Sequence, residues 1–145
     1  MAYRVGADWQ SGKLSEGKPM GLVRAKFVLV NRFMDKTVTI EALVDSGATD
    51  VFVTHEVARK LGIDAEEISQ VYVTVADGRR VLAPRLPGVE VHFGNRSCFA
   101  NIFVMGDECL VGVIPLEAMD LIVDPKSLTV GVNPAYPDAP FLRGA

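Results

Sequence analysis

Cysteine, histidine and tryptophan are scarce in this chain of 145 residues, with two, two and one respectively. Cys98 and Cys109 form no Cys-x-x-Cys pair, and a disulfide framework is not expected where no export signal stands. Both read as buried apolar thiols. His55 and His92 lie far apart and make no His-x-x-x-His spacing, so no metal site and no cofactor are expected. Basic clusters are also missing. The longest is Arg79-Arg80, and 15 Lys+Arg against 18 Asp+Glu leave a formal charge of −3. Nucleic acid is thereby disfavoured as a partner, because phosphate binding needs concentrated positive charge. No apolar run approaches the roughly 18 residues that a membrane helix needs, so no membrane partner is expected. The first ten residues show no basic segment followed by an apolar one. The expected location is therefore cytoplasmic, and the sequon Asn95-Arg96-Ser97 carries no meaning there.

What is abundant is apolar residues, at 49 % of the chain. That is enough for a real core in one domain of ordinary size. Residues 1–21, rich in Gly, Ser, Lys and Glu, read as an N-terminal arm that Trp9 would pin to a surface. Residues 22–133 carry the folded domain, and 134–145 form a Pro-rich tail that crosses a surface.

Within 22–133 the texture is of short β runs. Leu22–Val30 and Thr37–Val44 read as strands flanking a turn at 31–36. Val51–Val53 is a third. Thr54 is a candidate N-cap for a helix over 54–61, with Glu56 in its first turn and Gly62-Ile63 set for a Schellman end. Val71–Val75 and Arg79–Ala83 flank Ala76-Asp77-Gly78, a hairpin signal with both Asp77 and Gly78 tolerant of positive φ. Val89–Phe93 and Cys98–Met105 are further strands. Leu110–Ile114 is short and apolar, and Pro115 opens about one helical turn to Met119. Leu121–Val123 and Leu128–Val132 flank a type I turn at 124–127. Met34, Met105 and Met119 read as core filling. His55 reads as solvated, His92 as pointing out of its strand, and Arg79 and Arg80 as solubilising a hairpin. The sum is an all-β domain, a small closed barrel or folded sheet with one or two short helices.

The segment with chemical content is Leu43-Val44-Asp45-Ser46-Gly47-Ala48. A carboxylate ends an apolar strand, where burial raises a carboxyl pKa and is costly without a partner. A hydroxyl follows. Glycine then lets the backbone turn and bring N–H groups to the carboxylate. Alanine is too small to obstruct a ligand. Asp124 also follows an apolar run but precedes proline, which makes it a turn residue and not a second acid.

Ala42–Thr49 resembles the active-site motif of retropepsin-like aspartic proteases, in which Asp-Thr/Ser-Gly-Ala follows two apolar residues. Leu110-Val111-Gly112 with Pro115–Met119 resembles the family's apolar-apolar-Gly segment and its short helix. Val123-Asp124-Pro125 with Leu128–Val130 is similar to the closing hairpin of bacterial members. The resemblance spans about Met20 to Pro134.

That resemblance implies a retropepsin-like fold, a homodimer, and cleavage of peptide bonds in an extended peptide or protein. Two Asp45 carboxylates across a two-fold axis would activate one water and share a proton. It also implies that Ser46 holds the two active loops together and that Gly47 offers backbone acceptors and donors to the substrate, with Ala48 in the same loop. Thr49, Asp50 and Gly112 would line the cleft, with Ala76, Asp77 and Gly78 as the flap tip. Retroviral relatives place an acid directly after the motif's Ala and an Arg after the downstream Gly. Thr49 and Val113 stand there instead, so both halves of that pair are absent together. The rival reading is a non-catalytic dimeric module that keeps the fold and binds an extended peptide. A metal-dependent hydrolase lacks ligands.

Overall fold

The computed structural model describes residues 3–4 and 22–144. The N-terminal arm apart from residues 3–4, with the expectation for Trp9, lies outside the described residues. In chain order the elements are β1 (Tyr3–Arg4), β2 (Arg24–Asn31), β3 (Lys36–Val44), β4 (Val51–Val53), α1 (His55–Lys60), β5 (Gln70–Thr74), β6 (Arg80–Phe93), β7 (Arg96–Val104), β8 (Leu110–Val111), α2 (Val113–Ala118), β9 (Leu121–Asp124) and β10 (Thr129–Val132).

Strands β2, β3, β8, β4, β7 and β6 pair successively, and β6 pairs back onto β2. The all-β expectation therefore holds, in the form of a ring of strands with two short helices. Strand β5 extends the ring from β6, and β1, β9 and β10 make a separate three-stranded sheet. Alternation drives the ring: Phe27 and Leu29 of β2 and Ile40, Ala42 and Val44 of β3 all point inward and are buried. Leu61, Ile102, Leu116 and Met119 fill the centre. Phe27 meets Phe93 at 5.4 Å between ring centroids. A smaller apolar cluster of Ala48, Phe52, Ala83 and Phe103 lies apart from this core.

The α1 boundaries follow from capping chemistry. Thr54 Oγ1 accepts from Val57 N at 3.2 Å. Gly62, at φ +75, and Ile63 donate back to Arg59 O and Ala58 O, closing a Schellman end. Asn31 Nδ2, buried, satisfies Leu61 O at 2.8 Å.

Several local expectations need correction. Strand β6 is continuous from Arg80 to Phe93, through Pro84 and Pro87. It pairs with β5 in its first part and with β7 and β2 later. A bulge between Leu86 and Val89 bends it, placing Pro87 and Gly88 where no ladder N–H is required. At the β5–β6 tip only Gly78 has positive φ, at +88, and Asp77 does not. Gly78 N donates to Val75 O and Val75 N to Arg79 O. That is a three-residue loop with a bulged glycine rather than a two-residue primed turn. Helix α2 starts at Val113, before Pro115. Leu128 leaves its strand at φ +59, and Asp124 Oδ1 caps the turn by accepting from Lys126 N at 2.9 Å. Met34 is not core: it is exposed on the β2–β3 turn, over Gly62. Met119 is fully buried, as expected.

Residues 134–141 lie along the surface, tied to buried groups. The Asp120 carboxylate accepts from Asn133 Nδ2 and from Phe141 N at 3.0 Å. The buried Arg96 guanidinium donates to Tyr136 O.

Ring closure between β2 and β6 carries a charged clamp. Arg32 bonds both oxygens of the buried Glu90 carboxylate, with Nη2 to Oε1 at 3.1 Å. His92 Nε2 donates to Glu90 Oε1 at 2.9 Å. Arg32 first, then His92, holds the Glu90 carboxyl below its ordinary value near 4.5. A carboxyl depressed by folding adds stability above its unfolded pKa and loses it as pH falls through the folded one. The urea midpoint should therefore decline more steeply below pH 4.5 in the wild type than in Glu90→Gln. Parallel declines would show that the clamp contributes nothing.

Candidate functional site

Asp45 stands just past the end of β3, and its loop returns the chain to β4. Strand β8 lies between those two strands, parallel to β3 (Leu43↔Leu110, Val44↔Val111) and antiparallel to β4 (Val51↔Val111). The loop thus straddles a strand from a distant part of the chain. Backbone bonds fix it there. Asp45 N donates to Val111 O at 3.1 Å, and Gly112 N to Asp50 O at 2.8 Å. Val113 N donates to Ala48 O and Ile114 N to Thr49 O, each at 3.0 Å. The first N–H groups of α2, which have no intrahelical partner, are satisfied by the loop's carbonyls.

The Asp45 carboxylate is oriented from within the loop. Gly47 N donates to Asp45 Oδ1 at 2.8 Å, and Ala48 N to Asp45 O at 3.1 Å. A Cβ at Gly47 would sit 3.2 Å from that same Oδ1. Asp45 is half-buried. One carboxylate edge is held by the backbone while the side chain still reaches solvent.

The carboxylate faces a cleft of about 690 Å³. Asp45, Gly47 and Ala48 line it on one side, and Val73, Val75 and Ala76 of the β5–β6 hairpin on another. Its floor is the smaller apolar cluster, with Phe52 stacked on Phe103 at 5.1 Å. Residues 105–108, between β7 and β8, form the remaining wall. A second concavity of about 500 Å³ runs beside α1, past His55, Arg59 and Asp64, and holds none of the expected site residues.

The structure brings Asp45, Gly47, Ala48 and Ala76 together around one cleft. Asp77 and Gly78 are exposed at the hairpin tip, where Asp77 Oδ2 pairs with Arg79 Nε at 2.7 Å, and they do not line the cavity. Ser46, Thr49 and Asp50 also lie off the cavity wall, and Thr49 Oγ1 donates to Asp50 Oδ2 at 3.0 Å. Gly112 sits behind the loop, as a buttress. Phe52, Val73, Asp107, Glu108 and Leu110 line the cleft without an expectation placing them there, and Met105, expected as core filling, is half-buried on the cleft wall instead. The signal for the wall was present: Met105–Glu108 leads straight into Leu110-Val111, the segment that pairs beside Asp45. Neither thiol lines this cleft, and burial pushes the Cys98 thiol up to about 11. At neutral pH it is not a nucleophile.

Gly112 is the tightest point. A Cβ there would lie 2.4 Å from Ala48 O and 2.6 Å from Ala48 C, both backbone atoms. No side chain can move aside to relieve that overlap. Gly112→Ala should cost about 3 kcal/mol or more, at the upper end for overpacking, and displace the Asp45 loop. Urea unfolding of the variant checks it, and an unchanged midpoint would mean that the loop yields freely.

A family model described as aspartyl protease matches residues 31–114, which include both Asp45–Ala48 and Leu110–Gly112. Among solved structures, the chain is similar to a retropepsin-like aspartic protease from Rickettsia conorii at 22 % identity and a TM-score of 0.46, covering 66 % of this chain and 80 % of that one. It is also similar to the EIAV protease complexed with the inhibitor HBY-793 at 14 % identity and a TM-score of 0.48, covering 68 % of this chain and 86 % of that one. No curated protein matches it. On the match of more than half its length, the chain belongs to the aspartyl protease family.

Proposed function

We propose that this protein is an aspartic endopeptidase of retropepsin type, active as a homodimer in which each protomer supplies Asp45. The observation that carries the reading is the Asp45 carboxylate, fixed by Gly47 N on the wall of a cleft of about 690 Å³. One chain holds one Asp-Ser-Gly-Ala. Water activation of this type needs a base and an acid, and a two-fold axis supplies both from the same residue.

In the dimer the two Asp45 side chains flank one water. Like charges at about 3 Å cannot both ionise, so the pair holds one proton, a property of aspartic dyads carried over with the family. The ionised carboxylate takes a proton from the water as it attacks the scissile carbonyl carbon. The protonated partner donates to the carbonyl oxygen. The carboxyl that took the water's proton then gives it to the scissile nitrogen. The C–N bond breaks, the amine leaves, and a hydroxyl proton of the tetrahedral intermediate returns to the other carboxylate, so the product is a carboxylic acid and the pair again holds one proton. Ser46 links the two loops across the axis. Asp77 and Gly78 approach the substrate from the hairpin tip when the hairpin closes, while Thr49 and Asp50 flank it from the fixed loop.

Asp45→Asn preserves shape but cannot act as base. The variant should fold, sediment as the wild type does, and lose at least about a thousandfold in kcat/KM on a peptide library. Activity within about tenfold of wild type would remove Asp45 from the reaction. A wild type that binds peptides but cleaves none would leave the non-catalytic peptide-binding module.

Half a site per chain makes activity depend on concentration. Specific activity should fall on dilution below the dimer dissociation constant. Excess Asp45→Asn should suppress the wild type through mixed dimers. A sedimenting monomer with full specific activity would overturn the two-fold arrangement.

A further inference from the structure

The cleft beside Asp45 has two chemistries in one cavity. Phe52, Val73, Met105 and Leu110 offer apolar surface, while Asp107 and Glu108 stand on its rim. Among the described residues, no lysine, arginine or histidine lines it. Glu108 is already engaged from outside, by Arg24 Nη2 at 2.7 Å. Asp107 has no ion-pair partner among the described residues. Gly106, at φ +83, turns the chain here, and residues 106–108 are exposed. The half-cleft therefore presents apolar contact along its depth and, at its edge, the exposed Asp107 carboxylate, unpaired among the described residues.

A peptide side chain that satisfies both needs several methylenes and a cationic head. Lysine and arginine have that form: the stem packs on apolar surface while the charge stays near water. A glutamate in the same place would meet Asp45 and Asp107, with no cation among the described lining residues to receive it. An uncharged apolar residue would fill the floor and leave Asp107 as it is in the free protein.

We propose that Asp107 is a specificity-determining residue, and that this cleft selects peptide segments carrying Lys or Arg beside the scissile bond. The inference rests on the peptidase reading and adds the class of substrate to it. Arg24 sharpens the assignment, since it neutralises Glu108 and leaves discrimination to Asp107. An exposed charge pair contributes modestly, and the difference between attraction of lysine and repulsion of glutamate is what the cleft reads.

The test uses extended peptides that differ at one position at a time by Lys, norleucine or Glu. They are given to the wild type, Asp107→Asn and Asp107→Lys. At one position near the cleavage point, kcat/KM for Lys should exceed that for Glu by about tenfold or more in the wild type. The ratio should shrink toward one in Asp107→Asn, invert in Asp107→Lys, and narrow as salt is raised. A ratio within about twofold at every position, or one unchanged in Asp107→Asn, overturns the inference and leaves the peptidase reading intact.

A second arm separates the two claims. Asp45→Asn, alone and combined with Asp107→Asn, is titrated with the same peptides by fluorescence anisotropy. Cleavage of no peptide by the wild type would overturn the peptidase reading. In that case tighter binding of the Lys peptide, lost with Asp107→Asn, still supports the selection. Equal binding of the Lys and Glu peptides overturns it.

Discussion

The contact between Gly112 and the carbonyl of Ala48 governs the site. It brings the start of α2 so close to the 45–50 loop that only a hydrogen atom fits on the Gly112 α-carbon. That closeness lets Gly112 N, Val113 N and Ile114 N reach three successive loop carbonyls. Three carbonyls of the loop are thus satisfied by the three N–H groups at the helix start, and Pro115, which follows, has none to leave over. Asp45 inherits its direction from this arrangement, since the loop that presents its carboxylate cannot shift without breaking those bonds.

Around that joint the rest of the fold serves as a frame. The ring from β2 to β6 fixes β3 and β8 side by side, and its buried interior leaves little room to deform. The Arg32–Glu90–His92 clamp braces the seam where the ring closes. The β5–β6 hairpin hangs outside the ring. Its inner face meets the smaller apolar cluster, while Tyr72 and Leu82 on its outer face are exposed. A hairpin held by one partner strand is free to move over a cleft in a way the ring is not.

Much of this was legible in residue order. Thr54, Glu56 and Gly62 marked α1 because capping is local chemistry. Asp45-Ser46-Gly47-Ala48 was legible because an acid after an apolar strand demands partners, and a glycine two residues on supplies one. What stayed hidden depended on distant chain. Gly112 reads as an interruption until Ala48 is placed against it. Pro84 and Pro87 argue for a break in β6, and only the change of partner from β5 to β7 turns that break into a bulge. Met34 looks apolar in the sequence, but its turn projects from the ring. The wall at 105–108 was overlooked because no periodicity marks a turn as part of a cleft.

The position of β8 also sets the order in which the molecule can be built. Strands β2 and β3 are neighbours in sequence and pair as a hairpin with little loss of chain entropy. The Asp45 loop obtains its partners only when residues 110–114 arrive, more than sixty positions later, and slide between β3 and β4. Contacts of such separation form late and slowly. During synthesis the carboxylate therefore emerges long before the segment that aims it. A nascent or truncated chain ending before Leu110 carries the motif without the site, and the functional geometry is completed only as the second half of the domain folds.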